Sequence, residues 1–337
     1  MTKKILIITD NLPDQINGVV TTYKNIEACA LLDGYSVDYI DPGRFRYVDC
    51  PKYNEVKLSI PSNLGEKIEE IDPDHIHIAT EGPIGLWARK YLSVCGYRYN
   101  TAYHTKFPEG LKKLFGIPEA LTWPLIRWFH KHSGKVLTTT ETMVRELREH
   151  GFTGEIIPWT RGVDRDIFNP SQRDRDSDEK ILLCVSRVSK EKNLDEFCKL
   201  EYPKSRKIMV GDGPDRERLE ALYPDVEFVG FKTGLELANY YANADVFVFP
   251  STWETFGIVM IEAMACGTPV AAYPVTGPID VIDDGVTGYM DKDLATAVHR
   301  CIGLNRDTVL AGSQRWSWQR AWEIFRDNLV NARLTKS

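Results

Sequence analysis

Seven cysteines are spread over 337 residues, at positions 29, 50, 95, 184, 198, 266 and 301, and no two form a C-x-x-C pair. That scatter speaks against a zinc cluster or a disulfide framework and fits a reducing compartment. Positive charge is also short. Against 48 Asp and Glu stand 42 Lys and Arg, a formal net charge of -6, which disfavours wholesale binding to nucleic acid. No window offers the roughly 18 unbroken apolar residues of a spanning helix. The chain passes almost at once from Lys3-Lys4 into I-L-I-I-T-D, about one strand long, without the roughly 7–15-residue apolar core of a secretion leader. Short-period repeats and low-complexity segments are missing as well. The expectation is a cytoplasmic protein, attached if anywhere to a membrane face.

What is present is the composition of a globular protein, 43% hydrophobic and 27% charged, in a chain too long for one ordinary core. The first half alternates short apolar runs with helical stretches. The strands are K-I-L-I-I-T-D, S-V-D-Y-I-D, His75 to Ala79, a run ending at His104, K-V-L-T-T-T-E and E-I-I-P-W-T-R-G, and a helix is read from Val19 to Leu32. A polar, charge-mixed stretch over 166–180 reads as a linker. A second alternating set follows: I-L-L-C-V-S-R, K-I-M-V-G-D-G, V-E-F-V-G-F, D-V-F-V-F-P-S and P-V-A-A-Y. Strands alternating with helices imply βαβ units and parallel sheets. The predicted fold class is α/β, two doubly wound domains at 1–165 and 181–312, with a Trp-rich helical segment at 313–337. In such sheets ligands bind beyond the carboxyl ends of the strands, so the expected site is a cleft between the domains.

Two carboxylates stand out in P-S-T-W-E-T-F-G-I-V-M-I-E-A-M-A-C-G-T-P-V, which is otherwise apolar, small or neutral. Glu254 lies in the loop after a strand, and Glu262 about one turn into the next helix. Gly257 lets backbone approach a ligand, and the amides from Phe256 through Ile258 to Val259 are the free donors of a helix start, suited to an anion. Acceptors on both sides of an anion site suit a nucleotide-sugar: sugar, diphosphate, ribose. A local cap or salt bridge at Glu262 accounts for the spacing equally well. Arg187 and Lys192, in V-S-R-V-S-K-E-K-N, follow the first strand of the second domain. Two fixed cations there can neutralise a diphosphate leaving group, although a basic loop of this kind is more often only solvated.

Other features carry less. Asn17-Gly18 opens a helix and reads as a phosphate approach or an ordinary cap. His104 ends a strand, where a histidine can take a proton, bond a sugar hydroxyl or serve the core. Gly211 and Gly213 follow a strand like half a dinucleotide fingerprint, but Arg216 stands in the third glycine's place, which disfavours a nicotinamide-dependent dehydrogenase. From Lys106 to Lys135, basic residues (106, 112, 113, 127, 131, 135) interleave with Leu111, Leu114, Phe115, Leu121, Trp123, Leu125, Trp128 and Phe129. That mixture suits an anionic lipid surface, and packing on the sheet is the competing account.

These elements together resemble a family-4 retaining glycosyltransferase with the GT-B fold. Glu254 to Glu262 matches the family's E-x7-E element. Arg187 to Lys192 matches its G-R-x-x-x-x-K element with Ser186 for glycine, and Asn17-Gly18-Val19 its G-G-V loop with one glycine lost. Y-H-T-K-F-P and T-R-G-V-D-R-D-I-F-N-P resemble the branch of lipid mannosyl- and sulfoquinovosyltransferases. The resemblance covers nearly the whole chain. It implies GT-B architecture, two Rossmann-like domains facing a central cleft. It also implies a donor hexose at Glu254, a ribose at Glu262, a diphosphate at Arg187 and Lys192, and backbone donors at Phe256, Gly257, Ile258 and Val259. His104 is implied at the sugar and acceptor. Trp316, Trp318 and Trp322 would lie on a last helix crossing back to the first domain. The implied partners are a nucleotide-sugar, GDP-mannose or a UDP-hexose, and a lipid or glycan acceptor. No metal or other cofactor is implied, and no D-x-D stands at a suitable loop. Front-face attack is implied, with no protein nucleophile. Two other readings compete: a sugar-nucleotide epimerase of the same fold, and a nucleotide-sugar-binding or membrane scaffold protein that has lost catalysis.

Overall fold

The computed structural model describes residues 2–50, 53–174 and 177–333. The chain divides into two compact units, 1–161 with 318–337, and 162–317.

The first unit holds a six-stranded parallel sheet in the order β2-β1-β5-β6-β7-β8, built from β1 (Lys3–Ile8), β2 (Tyr35–Ile40), β5 (His75–Ile78), β6 (Asn100–Tyr103), β7 (Val136–Thr138) and β8 (Ile156–Pro158). A separate antiparallel hairpin, β3 (Arg46–Cys50) with β4 (Tyr53–Ile60), stands outside it. The sequence reading leaves this hairpin unassigned. Consecutive residues of β1 serve opposite faces. Leu6 and Ile8 join one buried cluster with Ile76, Ile84 and Leu92, while Ile5 and Ile7 join another with Tyr23, Ile26, Trp159, Trp322 and Phe325. That two-sided burial is why parallel strands read as unbroken apolar runs.

The second unit repeats the plan in the order β11-β10-β9-β12-β13-β14, from β9 (Lys180–Val185), β10 (Ser205–Val210), β11 (Val226–Gly230), β12 (Val246–Phe249), β13 (Val270–Ala272) and β14 (Gly288–Met290). Ile181, Leu183 and Val185 face one core, Leu182 and Cys184 the other. The order reverses between β9 and β12, the point at which open parallel sheets of this kind take their ligands. β14 escapes a sequence reading because it begins on glycine, which strands usually avoid. Here the glycine is required, since a Cβ on Gly288 would collide with the Val270 carbonyl of β13.

The division differs from the expected boundaries. Residues 166–174 of the expected linker pack on the second unit: Phe168 is buried in its core, Arg173 Nη1 donates to the Ala242 carbonyl at 3.0 Å, and Asn243 Nδ2 to the Gln172 carbonyl at 2.9 Å. Residues 175 and 176 of that stretch lie outside the described residues. The last helix runs Trp318–Asp327, with Trp322 Nε1 on Asp33 Oδ2 at 3.0 Å and Arg326 Nη1 on the same oxygen at 2.9 Å. Residues 334–337 also lie outside the described residues. Trp316, expected on that helix, instead meets Phe256 edge-on in the second unit, centroids 5.3 Å apart.

The loop after β9 is braced by the loop after β10. Val188 N donates to the Asp212 carbonyl at 2.9 Å and Asp215 N to the Val188 carbonyl at 3.0 Å. Gly211, at φ +135°, and Gly213 make this approach possible, because a Cβ on either would strike the carbonyl of Ser186 or Val188. Gly211→Ala is expected to lower stability by about 3 kcal/mol, through both the collision and the left-handed backbone. Urea denaturation measures this, and an unchanged midpoint would contradict it.

Candidate functional site

The loops after β9 and β12 leave neighbouring strands at the reversal of the second sheet and are tied together. Asn193, in the left-handed conformation at φ +57°, sends Nδ2 to the Pro250 carbonyl at 3.2 Å. The residue before it, Lys192, places Nζ 3.2 Å from Glu254 Oε2. The other carboxylate oxygen, Oε1, accepts the Thr255 amide at 3.0 Å. Both side chains keep about a quarter of their surface in water, 27% for Lys192 and 21% for Glu254. A half-wet pair of this kind contributes no more than about 1 kcal/mol. A phosphate, whose charge-assisted hydrogen bonds are each worth about 1.5–3 kcal/mol, can therefore replace Glu254 on the lysine. Arg187 sits half-buried in the same braced loop, beside Ser186, whose hydroxyl donates to the Arg187 carbonyl at 2.9 Å.

Glu254 leads directly into the helix Ile258–Ala265. Gly257 precedes it at φ +87°, and a Cβ there would lie 2.7 Å from Met260 Cε and 3.6 Å from Glu254 Cγ. Phe256 is buried, and Ile258 and Val259 are half-buried against the core. A helix start leaves amide donors without intrahelical partners, and here it follows three residues after a carboxylate and beside a lysine. Gly277, at φ +94° after β13, completes the wall; its Cβ would come within 3.2 Å of the Phe256 carbonyl and 3.5 Å of Glu254 Cβ. The sequence reading passes over Gly277, although the Gly277-Pro278 dipeptide is a recognisable loop signal.

Glu262 is the fifth residue of that helix and half-buried. Tyr241 Oη donates to its Oε2 at 3.0 Å. Burial pushes this carboxyl up to about 7, and the tyrosine bond opposes the rise. The local partner left open by the sequence is thus a tyrosine, and among the described residues no ion pair forms at Glu262.

In the first unit, the helix Gly18–Leu32 starts on a side-chain cap. Asn17 Oδ1 accepts from the amides of Val19 and Val20, both at 3.0 Å, with Gly18 exposed between them. The ordinary cap is what the structure holds at this position. The helix Pro83–Val94 is similarly taken. Asp10 Oδ1 accepts the Ile84 amide at 2.7 Å and Oδ2 the Gly85 amide at 3.3 Å. Burial raises this carboxyl to about 6.

Of the roles open to His104, the structure holds the core one: both ring nitrogens are engaged inside the first unit. His104 is buried, with Nδ1 2.8 Å from Arg161 Nη2 and Nε2 2.8 Å from Tyr23 Oη, and Tyr23 Oη lies 2.7 Å from His77 Nε2. A guanidinium can only donate, so Nδ1 accepts and Nε2 carries the proton. Tyr23 accepts from it and donates to His77. Burial, then the Arg161 charge, then His77 hold His104 well below the usual histidine range, and burial takes His77 down to about 3. Tyr23 carries no sequence signal that would set it apart from a core residue, and Arg161, although it stands in T-R-G-V-D-R-D-I-F-N-P, meets its partner His104 across 57 positions, as Tyr23 does across 81.

The Lys106–Lys135 segment forms the helices Phe107–Phe115 and Glu119–His130. Its apolar residues divide. Trp123, Ile126 and Phe129 enter the core, Leu111 is half-buried, and Phe115, Leu121, Leu125 and Trp128 are exposed. The side chain of Leu114 lies outside the described residues. Leu121, Leu125 and Trp128 follow i, i+4, i+7 spacing along one solvent-facing stripe. Arg89 caps the Trp128 ring at 3.8 Å, and Lys90 lies over exposed Trp87 at 5.4 Å. Lys113, Arg127 and Lys131 are exposed nearby in sequence, whereas Lys106 pairs with Glu146 at 2.7 Å and Lys112 with Glu119 at 2.8 Å. Among the described residues no helix is long and apolar enough to cross a membrane.

Residues 23–167 match the family model Glycosyltransferase Family 4, and residues 166–296 match Glycosyl transferases group 1. The chain is 30% identical over 297 residues to a GDP-mannose-dependent alpha-mannosyltransferase of Mycobacterium tuberculosis, covering 83% of this chain and 78% of that protein. It is 31% identical over 267 residues to the sulfoquinovosyl transferase of Arabidopsis thaliana, covering 73% of this chain and 52% of that one. Among solved structures, sucrose-phosphate synthase from Thermosynechococcus elongatus superposes with a TM-score of 0.75 over 96% of this chain and 94% of that one, at 20% identity, a likeness of fold. The chain belongs to glycosyltransferase family 4 and is a glycosyltransferase with the GT-B fold.

Proposed function

We propose that the protein moves a hexose from a nucleoside-diphosphate sugar, GDP-mannose or a UDP-hexose, to a lipid or glycan hydroxyl, with retention at the anomeric carbon and without a metal ion. The observation that carries this reading is the meeting of Lys192 and Glu254 at the start of the Ile258–Ala265 helix, where the strand order reverses. Glu254 accepts hydrogen bonds from the hexose hydroxyls and Glu262 from the ribose. The diphosphate takes Lys192 from Glu254 and adds Arg187 and the amides from Phe256 to Val259. As the bond from C1 to the diphosphate oxygen breaks, charge grows on that oxygen, and these donors stabilise it. The acceptor hydroxyl attacks C1 on the same face and its proton passes to the departing phosphate oxygen, so no protein nucleophile is used. His104, neutral and bonded at both ring nitrogens, meets a sugar hydroxyl only by exchanging Tyr23 or Arg161, and acts as a contact rather than a base.

The names of the relatives support the donor class: one acts with GDP-mannose, and alpha-monoglucosyldiacylglycerol synthase of Acholeplasma laidlawii is named for a lipid product. Lys192→Ala and Glu254→Ala are each expected to lower donor hydrolysis and transfer at least about 100-fold with folding retained. Unchanged hydrolysis in both would overturn these roles. Activity is expected to persist in EDTA, and its loss would contradict the metal-free reading. A thermal-shift panel of UDP-, GDP- and ADP-sugars identifies the donor, since ligand bound to the native state raises the midpoint by mass action.

The acceptor reading brings the exposed stripe Leu121, Leu125 and Trp128, with Lys113, Arg127 and Lys131, to an anionic membrane from the cytoplasmic side. Apolar residues flanked by lysine and arginine suit such a surface. The protein is expected to float with vesicles containing phosphatidylglycerol, to be released by salt, and to lose binding in Leu121→Ser/Trp128→Ser. Equal recovery with neutral vesicles, or none with either, retires the surface.

A further inference from the structure

We propose that Tyr241 is a positioning residue for the nucleoside end of the donor site, its phenol orienting the Glu262 carboxylate toward the two ribose hydroxyls. The inference rests on the donor site described above, in which Glu262 meets the ribose. Tyr241 lies on the helix Gly234–Asn243 and is fully buried. Its ring is wedged edge-on between Phe168, with centroids at 5.9 Å, and Phe247, at 5.5 Å. Its carbonyl accepts from Thr268 Oγ1 at 2.6 Å, and Arg306 Nη2 in turn donates to Thr268 Oγ1 at 2.9 Å. The phenol is therefore fixed at both ends, and its oxygen is presented to Glu262 Oε2 at 3.0 Å. A glutamate on a helix surface samples several rotamers, and an immobile donor at one oxygen selects one of them and directs the other oxygen outward.

The bond also governs charge. A vicinal diol donates two hydrogen bonds and is best met by an ionised carboxylate. Burial drives Glu262 toward the protonated form near neutral pH, and the Tyr241 bond opposes this. The groups facing this carboxyl are few. From its own helix end comes the Cys266 thiol, which burial pushes up to about 12, and from the Gly234–Asn243 helix the Tyr241 phenol, held well above its usual range. On the Arg306–Gly312 helix, Arg306 is committed to the carbonyls of Ala242, Ala244 and Cys266. Arg315, in the turn that follows, is committed to Asp283 at 2.9 Å and the Val281 carbonyl. β12 and β13 present only apolar side chains. The phenol is thus the group that opposes protonation of the carboxylate. With the acid raised in the folded protein, nucleotide affinity is present above the Glu262 value and falls as pH drops through about 7.

Tyr241→Phe keeps the ring and removes only the hydroxyl. Binding of UDP, GDP and ADP, and of inorganic pyrophosphate, is measured by calorimetry on the full chain between pH 6 and pH 8.5. The expected result is that wild-type affinity for its nucleoside diphosphate falls below about pH 7. In Tyr241→Phe the midpoint moves up by about one pH unit and affinity at neutral pH falls about tenfold, while pyrophosphate binding is unchanged. Wild-type midpoint and affinity in the variant would reduce the phenol to a structural role. Equal weakening of nucleotide and pyrophosphate would also overturn the proposal, since it reports general damage to the site. Failure of the wild-type protein to bind any of the three nucleoside diphosphates would instead remove the donor site on which the inference stands.

Discussion

The donor loops depend on β9 and β12 lying side by side. Both strands are apolar and buried on both faces, so their pairing is dictated by core packing rather than by anything at the site. That pairing delivers two loops to one place, and the Asn193 side chain ties them at the Pro250 carbonyl. The ion pair between Lys192 and Glu254 follows from this geometry and does not create it. At no more than about 1 kcal/mol it is too weak to hold the loops, and that weakness suits the exchange of partner proposed for Lys192. The rigid part is backbone: Asn193 and Gly257 in left-handed conformations, and the glycines that let the neighbouring loops close in.

The first unit solves its polar burial differently. Two of its helix starts, Gly18–Leu32 and Pro83–Val94, are occupied by Asn17 and Asp10, and His104 is locked between Arg161 and Tyr23. The second unit keeps a charged pair half in water and a helix start behind a glycine.

Much of the fold could be read from the chain because most of the parallel strands are short apolar runs, and among the described residues eleven of the fourteen strands coincide with runs read from the sequence. The three others have physical reasons to hide. The hairpin of β3 and β4 stands outside the main sheet with Val48 and Ile60 exposed, and β14 starts on a glycine that close approach to β13 demands. Trp316 was read with the last helix because periodicity cannot tell which unit a tryptophan will face. At the site, the eight-residue spacing of Glu254 and Glu262 and the Arg187–Lys192 loop were visible because each falls within one short stretch of chain, the first a loop and the helix it enters, the second a single connection. Tyr241, Gly277 and Tyr23 were not, since each is defined by a partner far away in sequence, as Tyr241 is by Glu262 across 21 positions, and Arg161 was visible within T-R-G-V-D-R-D-I-F-N-P but not as the partner of His104. For His104 the sequence offers a sugar contact and a core role side by side, and the fold supplies the partners, Arg161 and Tyr23, that engage both ring nitrogens.

The account stands most directly on where a donor sits. A crystal structure of the full chain with a non-hydrolysable nucleoside-diphosphate hexose measures this. The account predicts hexose hydroxyls within about 3 Å of Glu254, the ribose at Glu262, and the diphosphate on Lys192, Arg187 and the amides ahead of the Ile258–Ala265 helix, with Lys192 drawn away from Glu254. A donor bound at another edge of the sheet, or a diphosphate that leaves the Lys192–Glu254 pair intact, would contradict it.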